Sequence, residues 1–90
     1  MGKEKIKTVT EGTDTKGEKH SLILLNDDIH TFEYVIRALV EICAHDPAQA
    51  EQCALITHYK GKCEVSTGEM GKLRVRRAGL AERGLKAFIK

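Results

Sequence analysis

Residues 21–43, SLILLNDDIHTFEYVIRALVEIC, carry the two signals that decide the fold. The first five form a short apolar run that stops at Asn26-Asp27-Asp28. An apolar run this short, closed by polar residues, favours a buried strand over a helix. Asn and Asp at such an end bond their own backbone and turn the chain. Beyond the turn, Phe32, Val35, Ile36, Leu39, Val40 and Cys43 fall at i, i+3, i+4, i+7, i+8 and i+11. That spacing predicts one buried face of a helix, with Thr31 as its N-cap and its end around His45.

The rest of the chain is read outward from there. Asp46-Pro47-Ala48-Gln49 marks a second helix start, with Asp as N-cap, Pro at the first helical position and Gln reaching back. Ala50, Cys53, Ala54 and Thr57 share one face of it, and Gly61 is a natural stop. Residues 62–66 (KCEVS) read as a second strand. Ser66-Thr67-Gly68-Glu69 has capping-box spacing and is expected to open a third helix, with Met70, Leu73, Leu80 and Ala81 inward. Gly84 should end that helix, and residues 85–89 should form a last strand. The order βααβαβ lacks strict βαβ alternation, so the fold class expected is α+β. Three helices should pack on one face of a small antiparallel three-stranded sheet. Residues 1–19 alternate Lys, Glu, Thr and Gly with only Ile6 and Val9 as larger apolar side chains. They are expected to be a flexible extension, and residues 20–90 a single folded domain.

Composition narrows the function classes. With 41% apolar and 31% charged residues, the chain falls among globular proteins. No apolar run approaches the ~20 residues of a membrane span, and the start is polar and Lys-rich. A cytoplasmic monomer, with no membrane partner, is the expectation. Cys43, Cys53 and Cys63 are odd in number and include no CxxC pair, so neither a disulfide framework nor a zinc site is suggested. They read as reduced, small apolar fillers. The net charge of +2 conceals a gradient: residues 21–67 carry seven acids and three bases, residues 68–90 two acids and seven bases. The middle should be acidic and the end basic.

Three features can carry chemistry. Asn26-Asp27-Asp28 groups acceptors at the mouth between the first strand and first helix, which suits an ammonium group; the plainer reading is a turn that caps a helix. His58 lies at the border of the second helix's buried face, either as a core histidine bonded to a backbone carbonyl or as one more acceptor beside that loop. Asp27, Asp28 and His58 can also be combined into a metal or acid–base site, but no HxxxH or HExxH spacing supports it, and no cofactor is expected. Lys72, Arg74, Arg76, Arg77 and Arg83 make the third helix basic. They form either a solvated face or, as the alternative function, a nucleic-acid-binding surface, although no aromatics interleave with them.

Together these residues resemble the ClpS family of N-degron adaptors. Residues 22–39, LILLNDDIHTFEYVIRAL, are similar to the family's apolar strand, Asn-Asp-Asp loop and following helix. Residues 57–62, THYKGK, are similar to its His-Tyr-x-Gly-Lys helix end, and residues 67–70, TGEM, to its Thr-x-Glu-Val helix start. The resemblance implies an adaptor without enzymatic activity. Such a protein binds substrates with a large apolar N-terminal residue and delivers them to a Clp-family AAA+ unfoldase and its protease. By position, Asn26, Asp28 and His58 would hold the α-amino group, with Asp27 shaping the loop. Phe32, Val35, Ala54, Thr57 and Leu85 would line the side-chain pocket. Glu69 and Arg74 would meet the unfoldase's N-terminal domain, and residues 1–19 match the extension used in substrate hand-off. The chain also departs from the pattern. His30-Thr31 replaces the usual Thr-Pro, Phe32 a common Met, and Ala54 and Thr57 larger apolar residues. The hairpin after Gly61 is shorter, and the His-Pro-Leu near the end is missing.

Overall fold

The structure is a computed structural model that describes residues 18–90. The expected extension at residues 1–19 therefore lies, apart from Glu18 and Lys19, outside the described residues. The elements are β1 (His20–Leu25), α1 (Phe32–Cys43), α2 (Pro47–Lys60), β2 (Lys62–Gly68), α3 (Met70–Glu82) and β3 (Ala87–Ile89). This is the α+β order βααβαβ. The sheet order is β2-β1-β3, with β1 antiparallel to both neighbours.

The apolar run of β1 becomes the central strand because it has partners on both edges and helices over one face. Leu22 and Leu24 are fully buried, as are Leu39 of α1 and Leu73 and Leu80 of α3. Burying a leucine contributes roughly 1.5–3 kcal/mol, so these five side chains are the main apolar anchor of the helices on the sheet. The expected face of α1 is buried at Leu39 and Cys43 and half-buried at Val35, Ile36 and Val40, whereas Phe32 at its start is exposed.

The caps of the first two helices follow the sequence. Thr31 Oγ1 accepts the Tyr34 N–H at 3.1 Å, and Asp46 Oδ1 accepts the Gln49 N–H at 2.8 Å, with Pro47 next in line. Helix α2 ends at Gly61 in the left-handed region (φ 90°), where the glycine N–H donates to the Thr57 carbonyl at 2.9 Å. None of the helices among the described residues is long and apolar enough to cross a membrane.

The start of α3 corrects the sequence reading. Ser66-Thr67-Gly68 do not open the helix; they extend β2, pairing with Leu22, Ser21 and His20. Glu69 takes the N-cap position without a side-chain cap bond, and the Ser66 hydroxyl accepts from Arg76 at 2.8 Å. Long-range pairing with β1 outweighs the local capping signature. Ala81, expected inside, is exposed, and Met70 is half-buried. The last strand begins at Ala87 rather than residue 85, although the Leu25 N–H already donates to the Lys86 carbonyl at 2.9 Å.

One irregularity in the sheet shapes the core. Leu22 pairs with Ser66 and Ile23 with Glu64, so Val65 is an extra residue in β2. Its carbonyl accepts from His45 Nε2 at 2.6 Å, and His45 is buried. The role of a core histidine satisfied by a backbone carbonyl thus belongs to His45; His58 is exposed. The three cysteines are free and buried. Burial pushes the Cys43 thiol up to about 11, and burial together with bonding to Cys53 pushes Cys63 up to about 12. Both remain protonated, unreactive thiols at neutral pH.

Candidate functional site

A cavity of about 350 Å³ opens where the β1–α1 loop meets the second half of α2. It is lined by Asn26, Asp27, Asp28, His30, Phe32, Val35, Ala54, Thr57 and His58, with Leu24 of the central strand beneath. Residues far apart in the chain meet here through the backbone. The Asn26 N–H donates to the Gly61 carbonyl at 3.0 Å, fastening the start of the loop to the end of the helix that carries His58.

Polar and apolar parts separate cleanly. Ala54 and Thr57 are buried, Val35 is half-buried, and the Thr57 hydroxyl donates to the Cys53 carbonyl at 2.7 Å. That proton is therefore already engaged, and the floor of the cavity is largely apolar. At the mouth, Asn26, Asp28 and His58 are exposed and have no side-chain hydrogen-bond partner among the described residues. The His58 ring meets the edge of Tyr59, with centroids 4.9 Å apart.

Asp27 differs from its neighbours. Its Oδ1 accepts the N–H groups of Ile29 (2.9 Å) and His30 (3.0 Å), and its Oδ2 accepts from His30 Nδ1 at 3.0 Å. Burial alone pushes the Asp27 carboxyl up, but the bonds from His30 and Ile29 outweigh it and hold the group below the usual carboxylate range. Asp27 is an ionised organiser of the loop.

Eight of the nine residues expected at the clamp and pocket line this one cavity; Leu85 does not. It is buried in the core and borders a separate cleft with Leu25, Arg77 and Lys86. Glu69 and Arg74 are exposed at the start of α3, away from the cavity. Two lining residues escaped the sequence reading, Leu24 and His30. The i, i+3 spacing of His30 from Asp27, and its i, i+4 spacing to Tyr34, are the signals that would have found the second.

The other readings weaken on geometry. Among the described residues no group of three His, Cys, Asp or Glu side chains can hold a metal ion. Of the five bases read as the α3 surface, Arg76 is bonded to Ser66 and Arg83 pairs with Glu41 at 2.7 Å, which leaves Lys72, Arg74 and Arg77 of that set to meet phosphates.

Comparison with known proteins agrees with the fold. The ATP-dependent Clp protease adapter protein ClpS of Edwardsiella ictaluri is 43% identical over 58 residues, covering 62% of this chain and 55% of that protein. Its counterpart from Nitratidesulfovibrio vulgaris is 36% identical over 56 residues, 60% of this chain and 56% of that one. The chain thus spans about half the length of the curated relatives it matches. The structure of Agrobacterium tumefaciens ClpS2 bound to L-phenylalaninamide superposes with a TM-score of 0.73 at 19% identity, covering 80% of this chain and 94% of that one. The family model described as ATP-dependent Clp protease adaptor protein ClpS matches residues 15–87. Sequence, family model and three-dimensional likeness converge, and the chain belongs to the ClpS family.

Proposed function

We propose that this protein binds the free α-amino group and large apolar first residue of a polypeptide, and delivers that polypeptide to a Clp-family AAA+ unfoldase for degradation. The observation that carries the reading is the set of unpartnered acceptors, Asn26, Asp28 and His58, at the mouth of a cavity whose floor is largely apolar. An ammonium offers three donors and a positive charge, and charge-assisted bonds to it are stronger than neutral ones. An internal peptide bond has neither the charge nor the extra donors. The floor tests the side chain: burial of a Phe or Leu contributes roughly 1.5–3 kcal/mol, and a Ser or Ala far less. The neighbour from Agrobacterium was solved with L-phenylalaninamide, a molecule that joins a free α-amino group to an aromatic side chain. Small Ala54 leaves width beside Phe32 for such a ring.

Delivery needs a second surface. Glu69 and Arg74, exposed at the start of α3 and clear of the cavity, suit contact with the unfoldase's N-terminal domain while a ligand is held. In this reading the chain binds and hands over, and hydrolysis belongs to the protease.

The test is a titration with C-terminally labelled peptides that differ only at their first residue. A peptide beginning with Phe should bind at least about tenfold more tightly than its N-acetylated form, the loss expected when a charge-assisted bond is removed. A peptide beginning with Ser should also bind weakly. Equal affinities for the free and acetylated peptides would overturn the proposal.

A further inference from the structure

Asp27 and Asp28 are adjacent in sequence but differ in their surroundings. Asp28 is exposed, whereas both oxygens of Asp27 are engaged, and His30 supplies two of the three bonds. Its backbone N–H reaches Oδ1 at 3.0 Å and its ring Nδ1 reaches Oδ2 at 3.0 Å. An ionised carboxylate only accepts, so Nδ1 carries the proton and donates. The ring is itself held. It stacks on Tyr34 with centroids 4.8 Å apart and planes 18° from parallel. The Tyr34 hydroxyl donates to the Arg83 carbonyl at 2.8 Å, and the Arg83 side chain pairs with Glu41 at 2.7 Å. The edge of the imidazole abuts the turn that ends α3. A Cβ placed on Gly84 would lie 3.1 Å from His30 Nε2 and 3.2 Å from Cε1, at a backbone φ of +80°. Gly84 therefore provides both the left-handed turn and the space the ring occupies.

We propose that His30 is a positioning residue of the amino-group clamp, and that its imidazole holds Asp27, and with it the backbone carrying Asn26 and Asp28, against the turn that ends α3. The inference rests on the binding reading above. The acceptors for an ammonium sit on a loop, and a loop holds its side chains in bonding geometry only if something fixes its backbone. Asp27 does this by accepting two loop N–H groups, and the ring keeps the Asp27 carboxylate turned toward them. The same ring ties the loop to α3, so displacement of the Arg83–Gly84 turn is transmitted to the clamp.

The experiment compares affinities for a Phe-initiated peptide and its N-acetylated form in wild type, His30→Phe, His30→Asn, Gly84→Ala and the double variant His30→Asn/Gly84→Ala. The readout is the ratio of the two affinities. His30→Phe keeps a ring on Tyr34 and loses the donor, so the ratio should fall roughly tenfold. His30→Asn restores a donor to Asp27 and should recover most of the ratio. Gly84→Ala alone should lower the ratio by crowding the ring, and should lower it less beside the shorter asparagine side chain in the double variant, where only the backbone strain at φ +80° remains. An unchanged ratio in His30→Phe, or a parallel loss for both peptides, would overturn the proposal. If His30→Phe does not fold by circular dichroism, the rescue by His30→Asn and the Gly84→Ala pair decide it. A wild type that does not distinguish the two peptides would overturn the binding reading itself, which is a separate outcome.

Discussion

Two of the clefts on this small domain are of similar size, and they treat their polar groups differently. The cavity between the β1–α1 loop and α2 measures about 350 Å³, and the cleft beside the β2 bulge about 380 Å³. The bulge cleft is lined by His45, Gln49, Glu64, Ser66, Thr67 and Arg76 among others. There several polar groups answer one another, although His45 Nδ1 is buried without a partner among the described residues. His45 bonds the Val65 carbonyl, Arg76 bonds Ser66, and Glu64 accepts from Ser21 at 2.7 Å. In the first cavity, Asn26, Asp28 and His58 have no such partners among the described residues. The lesson is that volume does not distinguish a ligand site from a fold joint. Unengaged acceptors beside an apolar floor do, because water satisfies them until a ligand arrives, whereas groups already paired have nothing left to offer.

If the bulge cleft is a joint, its polar groups should matter for folding and not for binding. His45→Ala removes a buried ring and orphans the Val65 carbonyl, so it should cost about 2–4 kcal/mol in denaturant unfolding. At temperatures where it is folded, peptide affinity should be unchanged. A His45→Ala protein of wild-type stability would break the comparison from that side. The opposite is expected of Asp28→Ala. Removing an exposed, unpartnered carboxylate should leave stability within about 0.5 kcal/mol, yet weaken the free-amine peptide by about 1.5–3 kcal/mol. Anisotropy titration beside a thermal melt separates the two, and a melt that falls with the affinity would make Asp28 part of the joint.

The smallest effect sharpens the boundary between the classes, since Asp27 lines the first cavity but is paired like a joint residue. Its carboxyl is held below the ordinary range in the folded protein, so its contribution is present above the unfolded value near ~3.9 and lost as pH falls through the folded value. Asp27→Asn should therefore cost about 1 kcal/mol or less at neutral pH, and the gap to wild type should narrow below about pH 4. Denaturation midpoints at pH 7 and pH 3 measure it. A gap independent of pH would mean that the carboxylate charge is not what organises the loop.

The sequence spoke clearly where structure is local. Thr31, Asp46-Pro47 and Gly61 act within a few residues of where they stand, and α1 and α2 begin and end within a residue or two of the expected positions. The same local logic failed at Ser66–Glu69, because those residues answer to His20–Leu22 across the sheet, and no capping pattern records that pairing. The two histidines show a related limit. A helical wheel puts His58 at the edge of a buried face, but burial at that edge depends on what packs there. The burial of His45 depends on a bulge twenty residues away. Most of the cavity lining was legible because Asn26–Asp28, the α1 face and the α2 face are each contiguous or periodic. Leu85 was misplaced because its position depends on how the chain leaves Gly84. His30 was overlooked because two of its contacts, Gly84 and through Tyr34 the Arg83 carbonyl, belong to the far end of the chain.

The single bond from the Asn26 N–H to the Gly61 carbonyl has a consequence in chain statistics. In the unfolded chain, residues 26 and 58 are the ends of a long floating loop, and the entropy of bringing such ends together grows with its length. Folding closes that loop through the pairing of β1 with β2, which the Asn26 N–H to Gly61 carbonyl bond carries one step past Leu25 and Lys62, before any ligand is present. In the proposed reading, a ligand would meet two halves of a site already in register, with only a few exposed rotamers to order, so little of its interaction energy would be lost to assembling the site. The glycine that stops a helix thus also extends the pairing that holds the two halves together.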